Sequence, residues 1–219
     1  MTADQNASRI RVDWRPLHAL VFIAATIGAL CIPALRIWPL AMLVPLVAYL
    51  AVVAALPPLR ETFPGWRFGC VSRPAAVATL VISAGSCLTL VAFHVFTRPD
   101  VSFLSGSLPV TTLGGVIAVG AVFSLLNAFL EEAIFRAIFF DAIGARWGAW
   151  PAIVITSAVF GYFHMHGYPP GPLGAVLAGI YGVCLGWLRS FTGGIGWPVV
   201  AHITADATIF ILLARSGAL

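Results

Sequence analysis

The chain has 219 residues, of which 60% are hydrophobic and only 9% charged, and its mean hydropathy is +0.99. A soluble domain carries about 25% charged residues, so this composition excludes an ordinary water-facing globule and points to a protein whose solvent is a bilayer. The formal net charge of +4 comes from 12 basic and 8 acidic residues, every basic one an Arg. No basic run is interleaved with aromatics, so no nucleic-acid partner is indicated. In a membrane protein such a balance reports orientation.

The polar N-terminal segment, residues 1–16, holds Arg9, Arg11 and Arg15 and no cleavage signal, and reads as a cytoplasmic lead-in to a retained first span. A crossing helix needs about 20 mostly apolar residues. On that measure, spans are predicted over Leu17–Ala34, Trp38–Leu56 (closed by Pro57 and Pro58) and Ala75–Phe96. The charged stretch Leu59–Pro74 reads as a wet loop and Thr97–Pro109 as a polar link. Val110–Ile143 is too long for one straight crossing and reads as a surface turn plus one span or as a long tilted helix. Pro151–His166, Pro172–Leu188 and Pro198–Ala214 follow it.

The expected fold class is therefore an all-α, polytopic membrane helix bundle of about seven to eight spans. Residues 17–109 would form N-terminal membrane helices and 110–219 a catalytic core. Arg placement predicts a cytoplasmic N-terminus. Cys31, Cys70, Cys87 and Cys184 form no CxxC pair; the expectation is four buried thiols, with neither a disulfide framework nor a zinc knuckle.

A charged side chain at mid-bilayer costs at least about 2.5–3.5 kcal/mol, so ionisable residues inside spans mark function. Glu131, Glu132 and Arg136 fall in the long apolar stretch. Glu132 and Arg136 are four apart, so they share a helix face and can neutralise one another. Glu131 points about 100° away, free to act as a general base. Asn127, one turn earlier on the Glu131 face, can orient that carboxyl or bond a neighbouring helix. His164 lies one turn after Phe160. His166 faces away from His164 unless the helix ends there, which Gly167, Pro169 and Pro170 favour. His202 and Asp206 are again four apart on one face: Asp206 can fix the His202 tautomer, or both can donate to a substrate oxygen.

A carboxylate and an imidazole suffice to activate a water. There is no GxSxG elbow and no HExxH motif. Zinc held by His164, His202 and Glu131 is a second enzymatic reading, and a membrane transporter or scaffold is a third.

The three motifs, Glu131-Glu132-Ala133-Ile134-Phe135-Arg136, Phe160-Gly161-Tyr162-Phe163-His164 and His202-Ile203-Thr204-Ala205-Asp206, resemble the EExxxR, FxxxH and HxxxN/D pattern of the CAAX-processing and bacteriocin-processing (CPBP) family of intramembrane proteases. That family includes the type II CAAX prenyl endopeptidases. The resemblance covers about residues 110–213 and implies a glutamic-type endopeptidase without a metal or other cofactor. It implies that Glu131 and His164 activate water, that His202 and Asp206 form the oxyanion site, and that Glu132 and Arg136 support them. CAAX-cleaving members carry Asn at the position of Asp206. An ionised Asp would repel an oxyanion, so Asp206 must be protonated or must orient His202. The departure, together with the short all-Arg chain, favours a bacterial inner-membrane enzyme acting on a bacteriocin-like peptide or a C-terminal sorting tail. Counted as simple spans, Glu131 falls toward the cytoplasm and His164 toward the outer end. Their meeting requires that the Glu131 helix start near Val116 or later, or that Pro151 not open a span.

Overall fold

The computed structural model describes residues 13–101 and 112–216. The fold is all-α, and among these residues there is no strand. In chain order the helices are α1 (Arg15–Leu30), α2 (Leu40–Ala55), α3 (Pro57–Thr62), α4 (Arg73–Thr97), α5 (Leu113–Trp147), α6 (Ala149–Phe163), α7 (Gly171–Thr192) and α8 (Gly196–Arg215). By length and composition, α4, α5, α7 and α8 can each cross a bilayer, while α1 and α2 are shorter apolar helices. Large apolar side chains such as Leu80, Leu88, Ile117 and Ile180 project outward from the four long helices. Lipid is the environment that accommodates them. The polar lead-in before Asp13 and most of the link after Thr97 lie outside the described residues.

Local chemistry explains the helix ends. The Ser72 hydroxyl accepts the Ala75 N–H at the start of α4, and Thr112 accepts from Gly115 at the start of α5. Pro57 and Pro58 open α3, which runs into the predicted wet loop, at helix positions where a missing N–H costs nothing. Gly193, in the left-handed region, closes α7 and bonds back to the Arg189 carbonyl at 2.9 Å. The segment around Phe68 then straps the start of α8: Ile195 N–H donates to Arg67 O and Gly196 N–H to Phe68 O.

The long stretch resolves as one long helix, the second of its two sequence readings. α5 runs unbroken over 35 residues, with a π-helical segment at Ala133–Phe139. It ends at Gly148, whose φ of +86° is left-handed and turns the chain. α6 returns antiparallel, with Pro151 in its first turn. Phe135 meets Phe160 at 5.3 Å between ring centroids, and the Arg136 guanidinium sits 4.6 Å over the Phe160 ring. One turn onward along each helix stand Glu132 and His164. From Glu131 down to the turn and from the turn up to His164 are nearly equal runs, each roughly 22–24 Å at 1.5 Å per residue. The two motifs therefore reach the same level although α5 starts at Leu113, before Val116.

α6 and α7 pack closely because their facing residues are small. A Cβ on Gly161 would lie 2.6 Å from the Ala175 carbonyl oxygen, and one on Gly182 would lie 3.1 Å from Ser157 Cα. Such small-residue seams drive helix association where lipid removes the hydrophobic term. α8 packs against α4, α5 and α7. The largest core surrounds Phe22, Tyr49, Leu130, Ile138 and Phe160. The expectation of four buried thiols is not met: Cys31 and Cys70 are exposed, and Cys87 and Cys184 are intermediate. Neither Cys31 nor Cys70 falls on the packed face of a helix. Cys87 Sγ instead accepts from Thr208 at 3.1 Å.

Candidate active site

α5 carries Asn127, Glu131, Glu132 and Arg136 toward α7 and α8. Glu132 and Arg136 are fully buried and paired at 3.2 Å. Arg136 also donates to the Gly182 carbonyl of α7 at 3.1 Å. The π-helical segment breaks the α-helical hydrogen-bond register around Arg136. The Arg136 carbonyl accepts from Arg189 Nε at 3.0 Å, and Arg189 pairs with Asp141.

Glu132 has a second partner. Its Oε1 lies 2.8 Å from His202 Nδ1. A carboxylate paired with a guanidinium is an acceptor, so His202 Nδ1 carries the proton in this bond. His202 Nε2 then faces Glu131 Oε2 at 3.5 Å and Asp206 Oδ1 at 3.7 Å. Asn127 bridges the two carboxylates: Nδ2 donates to Glu131 Oε1 at 3.3 Å and to Asp206 Oδ2 at 3.2 Å. The orientation of that amide is fixed from outside, because Trp38 Nε1, which can only donate, bonds Asn127 Oδ1 at 3.0 Å. Glu131 Oε2 is buried with no hydrogen-bond partner. The adjacent acids differ in their partners: Glu132 is tied through Oε1 to Arg136 and His202, while Glu131 has no guanidinium partner, and each keeps its Oε2 without a hydrogen bond.

His164 ends α6 and begins a short 3₁₀ turn, His164–His166. Its Nδ1 lies 2.7 Å from the Phe160 carbonyl. A carbonyl only accepts, so the proton is on Nδ1 and Nε2 presents a lone pair. The Phe160 ring separates the two imidazoles, 4.3 Å from His164 and 5.9 Å from His202. His166 is exposed. Among the described residues no hydrogen bond or ion pair joins His164 to Glu131.

A cavity of about 490 Å³ lies between α4, α7 and α8, and His164, Tyr181, His202 and Asp206 line it. The remaining wall is mostly apolar, including Ile82, Leu90, Leu177 and Ile209. Val81 and Ile180, both exposed, stand at its edge. Glu131 is not part of the wall; it stands next to His202. Among the described residues, no three His, Cys, Asp or Glu side chains are grouped to hold a metal ion.

Trp38, Tyr181 and Gly182 were not singled out in the sequence. Trp38 lies 89 residues from its partner Asn127, and Gly182 contributes only a backbone oxygen, so neither has a local pattern to betray it. Tyr181 sits on an apolar helix where a tyrosine is unremarkable.

No curated protein and no solved structure matches the chain. Residues 113–208, a stretch that holds all three motifs, match the family model described as type II CAAX prenyl endopeptidase Rce1-like, and that match is consistent with the CPBP family.

Proposed function

We propose that this protein is a glutamic-type intramembrane endopeptidase that cleaves a peptide or C-terminal tail inside the bilayer, with Glu131 as the carboxylate base. The observation that carries this reading is Glu131 itself, an acid without a guanidinium partner whose Oε2 lies 3.5 Å from His202 Nε2, beside the cavity that His164 lines. Water taken between Glu131 and His164 loses a proton to them as its oxygen attacks the scissile carbonyl. His164 supports this role with an Nε2 lone pair fixed by the Phe160 carbonyl. His202 faces the developing oxyanion and is held by Glu132, while Asp206 positions His202. Collapse of the tetrahedral intermediate breaks the C–N bond and returns the proton to the leaving amine.

The reading needs no metal. The mostly apolar cavity wall suits the side chains of a membrane-borne peptide, the Arg distribution supports an N-terminus on the cytoplasmic side, and the short chain with only Arg as its basic residue supports a bacterial inner membrane. The test uses the full chain in proteoliposomes with a panel of quenched-fluorophore peptides, farnesylated CAAX sequences and unprenylated ones. Wild type should cleave a member, and Glu131→Gln and His164→Ala should lose that activity while remaining folded. Wild-type turnover in either variant would refute the assignment.

A further inference from the structure

The geometry points to Tyr181 as a further catalytic residue: its phenol O–H donates a hydrogen bond to the oxyanion formed on the scissile carbonyl. This inference rests on the endopeptidase reading above and deepens it.

The chain has four tyrosines. Tyr49 bonds His18 at 2.7 Å, and Tyr168 bonds His94 at 2.7 Å. Tyr162 is exposed. Tyr181 differs from all three: its hydroxyl is buried and makes no hydrogen bond. Its ring stands perpendicular to His202, 5.8 Å between centroids, and it lines the same cavity as His164, His202 and Asp206. Ser86, on α4, is a polar neighbour outside hydrogen-bond distance: its proton goes to the Ser83 carbonyl at 2.9 Å, and its oxygen is a weak alternative acceptor that an entering group can displace. A buried hydroxyl without a partner burdens the fold. Phenylalanine would pack in the same place without that burden, so the oxygen answers to something that enters the cavity.

The chemistry names what enters. When water attacks, the carbonyl π electrons move to oxygen and need donors already in place. Asp206 turns both oxygens to protein partners, with Oδ1 facing His202 Nε2 at 3.7 Å. Asp206 Oδ2 already accepts from Asn127. The Tyr181 O–H supplies the missing donor beside His202. It keeps its proton throughout, so the proton balance of hydrolysis is unchanged.

The experiment compares wild type, Tyr181→Phe and Glu131→Gln in proteoliposomes on the same peptide panel, and measures thermal unfolding of each in detergent. Tyr181→Phe should lower kcat by about 10²–10³-fold, leave KM nearly unchanged, and leave Tm equal or higher. Full activity in Tyr181→Phe together with an inactive Glu131→Gln overturns the Tyr181 role alone. A clear fall in Tm on losing the hydroxyl also overturns it, because the oxygen is then structural. Full activity in Glu131→Gln, or no cleavage by wild type of any panel member, removes the endopeptidase reading and this inference with it.

Discussion

Glu132 holds Arg136 and His202 with one oxygen, 3.2 Å from Arg136 Nη1 and 2.8 Å from His202 Nδ1. All three side chains are buried. Removing this carboxylate leaves a buried guanidinium without its counter-charge, which costs about 3–5 kcal/mol in comparable buried pairs. Glu132→Ala should therefore be strongly destabilised. Glu132→Gln, which keeps an acceptor for the imidazole N–H, should lie between it and wild type. Thermal unfolding in detergent gives the order. An alanine variant as stable as wild type would show that the pair does not hold the helices together.

Asn127 bridges Glu131 and Asp206 with its N–H donors, doing with dipoles what a bound cation would do with charge. A water-based mechanism built on this bridge predicts cleavage that persists after treatment with a strong zinc chelator, in protein with no stoichiometric metal by elemental analysis. Loss of activity on chelation, with recovery on adding zinc, would require the metal-dependent mechanism instead.

The helical class and the four long apolar spans were legible because hydropathy and length suffice in a bilayer. The Glu132–Arg136 pair and the shared face of His202 and Asp206 were legible from a spacing of four. The grip of Glu132 on His202 was not, because it joins helices 70 residues apart and depends on how α8 packs on α5. The π-helical segment at Ala133–Phe139 has no sequence signature in this apolar run. The common level of Glu131 and His164 was not legible either, because hydropathy does not show that α5 continues to Trp147 and shares one glycine turn with α6.

The α6–α7 seam sets how closely His164 approaches the α7 wall of the cavity. A Cβ on Gly161 would sit 2.6 Å from the Ala175 carbonyl oxygen and 3.0 Å from Gly179 Cα, both backbone atoms that cannot turn aside. Gly161→Ala should thus cost roughly 1–3 kcal/mol through overpacking, and it should slow cleavage because His164 follows three residues later. Gly28, in α1, is the control: a Cβ there meets nothing within 4 Å. Gly28→Ala should be neutral or stabilising by up to about 1 kcal/mol, the helix-propensity difference. Equal Tm values for the two variants would contradict the close seam.

Trp38 touches neither cavity nor carboxylate, yet it decides which way Asn127 faces. The indole N–H can only donate, so Asn127 Oδ1 must point at it and Nδ2 must point at Glu131 and Asp206. Trp38→Phe keeps an aromatic ring beside Phe123, its neighbour at 5.1 Å, and removes the donor. The lost hydrogen bond should cost about 0.5–1.5 kcal/mol of stability. A freed amide can flip and turn its oxygen toward two acids, so the effect on kcat should exceed what that stability loss explains. Trp38→His, which places a ring nitrogen near the same oxygen, should recover part of the rate. If Trp38→Phe loses stability but turns over at the wild-type rate, the indole only tethers the segment before α2 to α5.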